Sequence, residues 1–136
     1  MKVLIDTNVL LDVLCDRAEF VDNSSKVFKY CEVKKIDGYI SALSVPNIVY
    51  VMRKELSAEK TKEILEKLSL IFGTIDLKAE DLKKALELDF DDYEDALQCV
   101  AAKRIKAEYI ITRNVKDFAK SPVTAITPSD FLKKIS

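Results

Sequence analysis

The chain has 136 residues and a formal net charge of −1, with 49% hydrophobic and 33% charged residues, which is the balance of one compact α/β-sized domain spanning 1–136. It contains no histidine, and its three cysteines (Cys15, Cys31, Cys99) form no C-x-x-C pair, so zinc-finger, haem, Ser-His-Asp and Cys-His chemistry are excluded together. Asp6 interrupts the N-terminal apolar run, and no stretch reaches the ~20 apolar residues of a membrane span. A cytoplasmic protein with three buried, reduced cysteines is expected.

In chain order, short β-branched runs alternate with helical patterns. Val3-Leu4-Ile5 reads as a buried strand, followed by an apolar helix over about residues 8–15 and a second helix over about 22–35. Tyr39-Ile40 is the next strand. Pro46 then suits the first turn of a helix running to about Leu56, and Ser57 suits the cap of the following one, with Ile64, Leu65 and Leu68 on one face. A weaker strand falls near Thr74-Ile75, and Leu82, Ala85 and Leu86 mark another helix. Residues 92–106 carry Ala96, Leu97 and Val100 on one side; Tyr109-Ile110-Ile111 and Val123–Ile126 are strands, and Thr127-Pro128-Ser129-Asp130 opens a C-terminal helix. Strands separated by helices predict a three-layer α/β/α sandwich with a mainly parallel central sheet of four to five strands. Ligands of such sheets bind at the carboxyl ends of the strands, where the strand order reverses.

Three polar segments fall at such ends. Asp6 follows Val3-Leu4-Ile5; it suits a metal carboxylate and, equally, a cap on the next helix. Asp89-Phe90-Asp91-Asp92-Tyr93-Glu94-Asp95 places five acids at a helix start, where negative charge is favourable, yet Asp95 borders the buried face and lies four residues from Asp91. Thr112, Asn114 and Asp117 follow the strand ending at Ile111, as they would in a plain surface turn. Carboxylate and carboxamide oxygens without histidine suit Mg2+ or Mn2+, and such ions promote phosphodiester hydrolysis. No glycine-rich phosphate loop occurs.

Taken together, Ile5-Asp6-Thr7-Asn8-Val9-Leu10, Glu94-Asp95-Ala96-Leu97-Gln98 and Ile111-Thr112-Arg113-Asn114-Val115-Lys116-Asp117-Phe118 resemble the first, third and fourth motifs of the PIN-domain family, over essentially the whole chain. The resemblance implies a divalent-metal-dependent ribonuclease directed at single-stranded RNA. It also implies a toxin of a toxin–antitoxin pair, homodimeric and restrained by an antitoxin protein. Asp6 and Asp95 would hold the metal, with Asp117 and Glu94 completing the shell. Asn47 stands where the second motif has Glu, and Asn114 where many members have Asp. Both neutral positions lower the expected metal affinity, because an amide oxygen coordinates without charge. Asn8, Thr112 and Arg113 are the expected substrate contacts, Arg113 as a phosphate clamp. The alternative is a non-catalytic PIN-like domain that binds RNA or a protein partner. A phosphoaspartyl phosphatase is disfavoured because Asn8 occupies the place of its second acid.

Overall fold

A computed structural model describes all residues, Met1–Ser136. Five strands, β1 (Lys2–Ile5), β2 (Asp37–Ser41), β3 (Gly73–Ile75), β4 (Tyr109–Ile111) and β5 (Thr124–Ile126), form one sheet in the order β3-β2-β1-β4-β5. Every pairing is parallel. The weak strand near Thr74 is therefore real and lies at one edge. Only Ile75 of its three residues is buried, which is why its hydrophobic signal is faint.

The helices are α1 (Thr7–Leu14), α2 (Val21–Glu32), α3 (Ser44–Met52), α4 (Ala58–Ile71), α5 (Ala79–Glu87), α6 (Tyr93–Arg104) and α7 (Pro128–Ile135). Their starts follow the expected chemistry. Ser57 Oγ accepts from the Lys60 amide (3.1 Å), and Thr127 Oγ1 accepts from the Asp130 amide (3.1 Å). Helix α3 is shorter than its apolar pattern predicts: it ends at Met52, and turns carry the chain to Ser57. Helix ends with few glycines use other residues in the left-handed region: Asp16 follows α1, Lys34 follows α2 and Lys106 follows α6, with φ of 49°, 61° and 59°.

Alternation along the central strands divides the core. Val3 and Ile5 face a cluster built with α1, α2, α3, α4 and α7, whereas Leu4 and Ile110 face Cys99, Ala101 and Ala102 of α6. The small residues of α6 let that helix lie close to β1 and β4. Gly38 serves a similar purpose in β2, where an added Cβ would stand 2.6 Å from Cys31 Sγ and 2.8 Å from the Phe72 ring. Cys31 and Cys99 are buried as expected, but Cys15 is exposed at the end of α1. No helix is long and apolar enough to cross a membrane.

The chain leaves β1 toward β2 on one side and later returns to β4 on the other. Strand order therefore reverses between β1 and β4, and the mouth of that crevice lies at Asp6 and Thr112.

Candidate metal and nucleic-acid site

Asp6 sits at the junction of β1 and α1. Its amide continues the parallel ladder by donating to the Ile111 carbonyl (2.9 Å), so the Asp6 side chain is carried to the sheet edge by the backbone pairing itself. Both sequence-level readings of this residue meet in one geometry. Asp6 Oδ1 accepts from the Thr7 amide (2.8 Å), capping α1, while the carboxylate lines the crevice. Thr112 Oγ1 donates to Asp6 Oδ2 (2.8 Å), and Gln98 Nε2 donates to Oδ1 (3.3 Å). Asp6 is only 7% exposed. Burial raises its pKa from the ordinary carboxylate value, against the opposing pull of Thr112, Thr7, Gln98 and the Arg113 charge.

The surrounding cleft has a volume of about 400 Å³. Asp95 enters it from the first turn of α6, which is capped by Asp92 Oδ1 accepting the Asp95 amide (3.1 Å). Glu94, one residue earlier, lines the same space, and Asp117 arrives from a 3-10 turn (Val115–Phe118) beyond β4. Asn47 of α3, Asn114 and Asn8 complete this wall of oxygens. The fold thus gathers at one cleft the metal-ligand candidates Asp6, Asp95, Asp117 and Glu94, together with both asparagines at the positions of missing acids.

Electrostatics in the cleft are unbalanced. Five carboxylates (Asp6, Asp92, Glu94, Asp95, Asp117) line it against one guanidinium, that of Arg17. Half-burial, followed by repulsion from Asp92, Asp6, Asp117 and Glu94, pushes the Asp95 carboxyl up to about 7. The expected conflict of Asp95 with Asp91 is replaced by one with Asp92: α6 begins only at Tyr93, so Asp91 and Asp95 do not share a helix face, whereas the N-cap Asp92 is held at the Asp95 amide.

This donor chemistry fits a hard cation, with one restriction. No three acidic or thiol side chains converge closely enough to hold an ion by themselves. An ion on Asp6 and Asp95 would complete its shell with waters and neutral oxygens, the arrangement Mg2+ favours. Gln98 also lines the cleft, and its Oε1 is buried without a protein partner, a free acceptor for a water at the site.

Two expected substrate contacts have other partners. Thr112 is fully buried; besides donating to Asp6, its hydroxyl accepts from the Asn114 amide (3.1 Å), so it positions the carboxylate and the following turn. Arg113 does not line the cleft. Its Nε donates to Asp12 Oδ2 (2.7 Å), its guanidinium lies over the Phe20 ring at 4.1 Å, and it faces a separate hollow beside α2 and α7. The physical reason is Asp12, a fully buried carboxylate on α1 that recruits Arg113 and also Arg17, whose Nη1 donates to Oδ1 (3.2 Å). Asn8 is beside both regions: it lines the cleft and its Oδ1 accepts the Arg113 amide (3.5 Å).

Sequence reasoning missed Gln98, Asp12, Arg17 and Ser44. Ser44 Oγ shares a hydrogen bond with Thr7 Oγ1 (2.6 Å) and accepts from Gln98 Nε2 (3.3 Å), which joins α1, α3 and α6 beneath the cleft. An acid at Asp12 inside the apolar run Val9-Leu10-Leu11 was the available signal for a buried ion pair.

The comparisons with known proteins agree with this architecture. A ribonuclease, VapC1 from Aquifex aeolicus (strain VF5), is 30% identical over 142 residues, covering 98% of this chain and 94% of its own. Among solved structures, VapBC2 from Rickettsia felis bound to a promoter DNA fragment shares the fold with a TM-score of 0.73 at 18% identity, covering 93% of this chain and 98% of its own. A toxin–antitoxin complex from Klebsiella pneumoniae does so with a TM-score of 0.70 at 23% identity, covering 93% and 97% respectively. A family model of the PIN domain matches residues 2–116, so this chain belongs to the PIN-domain family.

Proposed function

We propose that this protein is a divalent-metal-dependent endonuclease for single-stranded RNA, acting in the cytoplasm as the toxin of a toxin–antitoxin pair and restrained by a protein antitoxin. The observation that carries the reading is the uncompensated carboxylate cleft at the β1–β4 crevice, where Asp95 is pushed up to about 7 by its acidic neighbours. Such a site is costly to maintain without a cation, and it lies where parallel sheets bind ligands. Family membership and the ribonuclease relative supply the substrate class. Toxin–antitoxin complexes among the fold relatives support the antitoxin, and a homodimer follows from the family resemblance.

Asp6 and Asp95 would hold Mg2+ or Mn2+, with Asp117 and Glu94 contributing through waters and Asn47 and Asn114 offering neutral oxygens or amide donors. The bound ion would polarise a phosphoryl oxygen and lower the pKa of a bound water. The protein's own part is orientation. Thr112 and Gln98 fix both Asp6 oxygens, and the Thr7–Ser44–Gln98 hydrogen bonds hold that arrangement rigid. Arg17 is the cation on the cleft wall, placed to meet a phosphate.

A single-stranded RNA should be cleaved with Mn2+ by the wild-type chain and not by Asp6→Asn. Calorimetric titration should show Mn2+ binding that Asp6→Asn removes. Cleavage retained in that variant sinks the catalytic assignment. The two asparagines in the cleft favour one competing reading, a non-catalytic domain that binds RNA or a protein partner. Absence of both Mn2+ binding and cleavage of any RNA selects it.

A further inference from the structure

Arg113 opens onto a second, positively charged feature that the catalytic reading does not use. A small hollow of about 160 Å³ lies at the carboxyl edge of the sheet, between the start of α2 and the start of α7. Three kinds of unsatisfied donor lie in or beside it. Arg113 spends only Nε on Asp12, and neither terminal guanidinium nitrogen has a protein partner. Helix α2 has no side-chain cap, and the amides of Asp22 and Asn23 in its first turn donate to no protein acceptor. Ser24 lines the hollow, is fully buried, and its hydroxyl has no partner. A guanidinium, free helix N-terminal amides and a dry hydroxyl together make a site for a tetrahedral oxyanion.

The hollow does not end there. Asn23 and Ser129 also line a larger groove of about 740 Å³ that runs between α2 and α7. Lys26, Lys29, Lys35 and Lys133 line this groove, with Tyr30 as its aromatic face. Glu19 is the one acidic side chain in the lining of the two spaces together. The 12 residues of α2 extend about 18 Å, enough for several consecutive phosphates. Asp12 connects this groove to the cleft, since Arg17 on the cleft wall and Arg113 in the hollow bind its two oxygens. A chain net charge of −1 conceals the separation of an acidic cleft from a basic groove.

The geometry points to the α2–α7 groove as the track for the sugar–phosphate backbone of single-stranded RNA flanking the cleaved bond, with Arg113, Ser24 and the α2 N-terminus holding one phosphate at its head. This inference rests on the ribonuclease reading of the adjoining cleft. Spaced lysines, one aromatic face and a compact oxyanion pocket fit a phosphate chain, whose charges recur along its length. An acidic peptide offers planar carboxylates that make less of the head pocket.

The test uses the full chain in EDTA, so that binding is read without cleavage. An end-labelled single-stranded RNA of about 12 nucleotides is titrated at several salt concentrations. The exposed double variant Lys26→Ala/Lys133→Ala should weaken binding about tenfold and make the log–log salt slope shallower by about 1.4, or ~0.7 for each lost phosphate contact. Poly-glutamate of equal charge should bind more weakly than the RNA. Unchanged affinity and slope in the double variant overturn the track, and so does poly-glutamate binding more tightly than RNA. Cleavage with Mn2+, measured separately, should show a raised KM and an unchanged kcat in the double variant. Were no RNA cleaved while the slope still changed as expected, the nuclease reading would fall and the groove would stand as an RNA-binding surface only.

Discussion

Asp6 and Asp12 lie six residues apart, both buried, one at the end of β1 and one on α1, yet the fold treats their charges in opposite ways. Asp12 is met by two guanidinium groups, Arg17 at 3.2 Å and Arg113 at 2.7 Å. Asp6 receives only neutral donors, from Thr7, Gln98 and Thr112, and burial raises its pKa. A carboxylate whose charge is matched inside the protein serves the fold. One that is oriented by hydrogen bonds but left electrically unmatched is available to an external cation. By holding both arginines, Asp12 leaves Asp6 without a bonded counter-ion, with only the weaker pull of the Arg113 charge from a distance.

Substitution at the two positions should separate these roles. Asp6→Asn should lower RNA cleavage by about 10³-fold or more, since it removes the charge that holds the ion, while thermal denaturation shows a folded protein. Asp12→Ala should do the reverse in its first effect: two partly buried guanidinium groups lose their partner, at a cost of about 3–5 kcal/mol. That corresponds to a fall in Tm of roughly 10–20 °C for a chain of this size. Equal losses of stability at the two sites would break the comparison.

Smaller effects sharpen it. Thr112→Val keeps the shape and removes the donor to Asp6 Oδ2, so cleavage should drop about 10–100-fold. Urea unfolding of the same variant should show a loss of only about 1–2 kcal/mol. A stability loss with unchanged cleavage would make Thr112 a purely structural residue.

The smallest effect concerns Asp95, whose carboxyl is raised to about 7 in the folded protein. A raised folded pKa means that the folded state holds a proton the unfolded chain has already released. Its stabilising contribution is complete below about pH 4 and is lost as pH rises through 7. Metal-free protein should therefore lose stability between about pH 4 and 7. Asp95→Asn should reduce that slope and raise stability at pH 8 by about 1 kcal/mol, a figure discounted because Asp95 is partly exposed and screened. Tm against pH, with and without Mg2+, measures both. A slope unaltered in Asp95→Asn would place the cleft's electrostatic strain elsewhere.

Much of the architecture was legible locally. Strand–helix alternation follows from runs of β-branched residues and from 3.6-residue patterns, and helix starts follow from Ser57, Asp92 and Thr127 through side-chain capping. The limits of local reading appear where burial is incomplete. The edge strand β3 shows little alternation, and the apolar pattern past Met52 reads as helix although turns break it. At the site, Asp6, Asp95 and Asp117 stood out because acids at strand and helix ends require an explanation. Gln98 and Ser44 did not, because a neutral polar residue next to apolar ones is ordinary.

The amino-acid sequence by itself determined the parallel α/β layout and the acids that reach the carboxyl edge, because short-range periodicity and capping depend on neighbours a few residues away. Only the tertiary structure decided which charges meet. Thr112 and Gln98 reach Asp6 across separations of 106 and 92 residues, and Arg113 reaches Asp12 across 101. Side-chain direction at such separations depends on packing between layers. That packing turned Arg113 from the cleft into the α2–α7 hollow, left Arg17 as the cleft's cation, and left the Asp6 carboxylate oriented without a counter-ion.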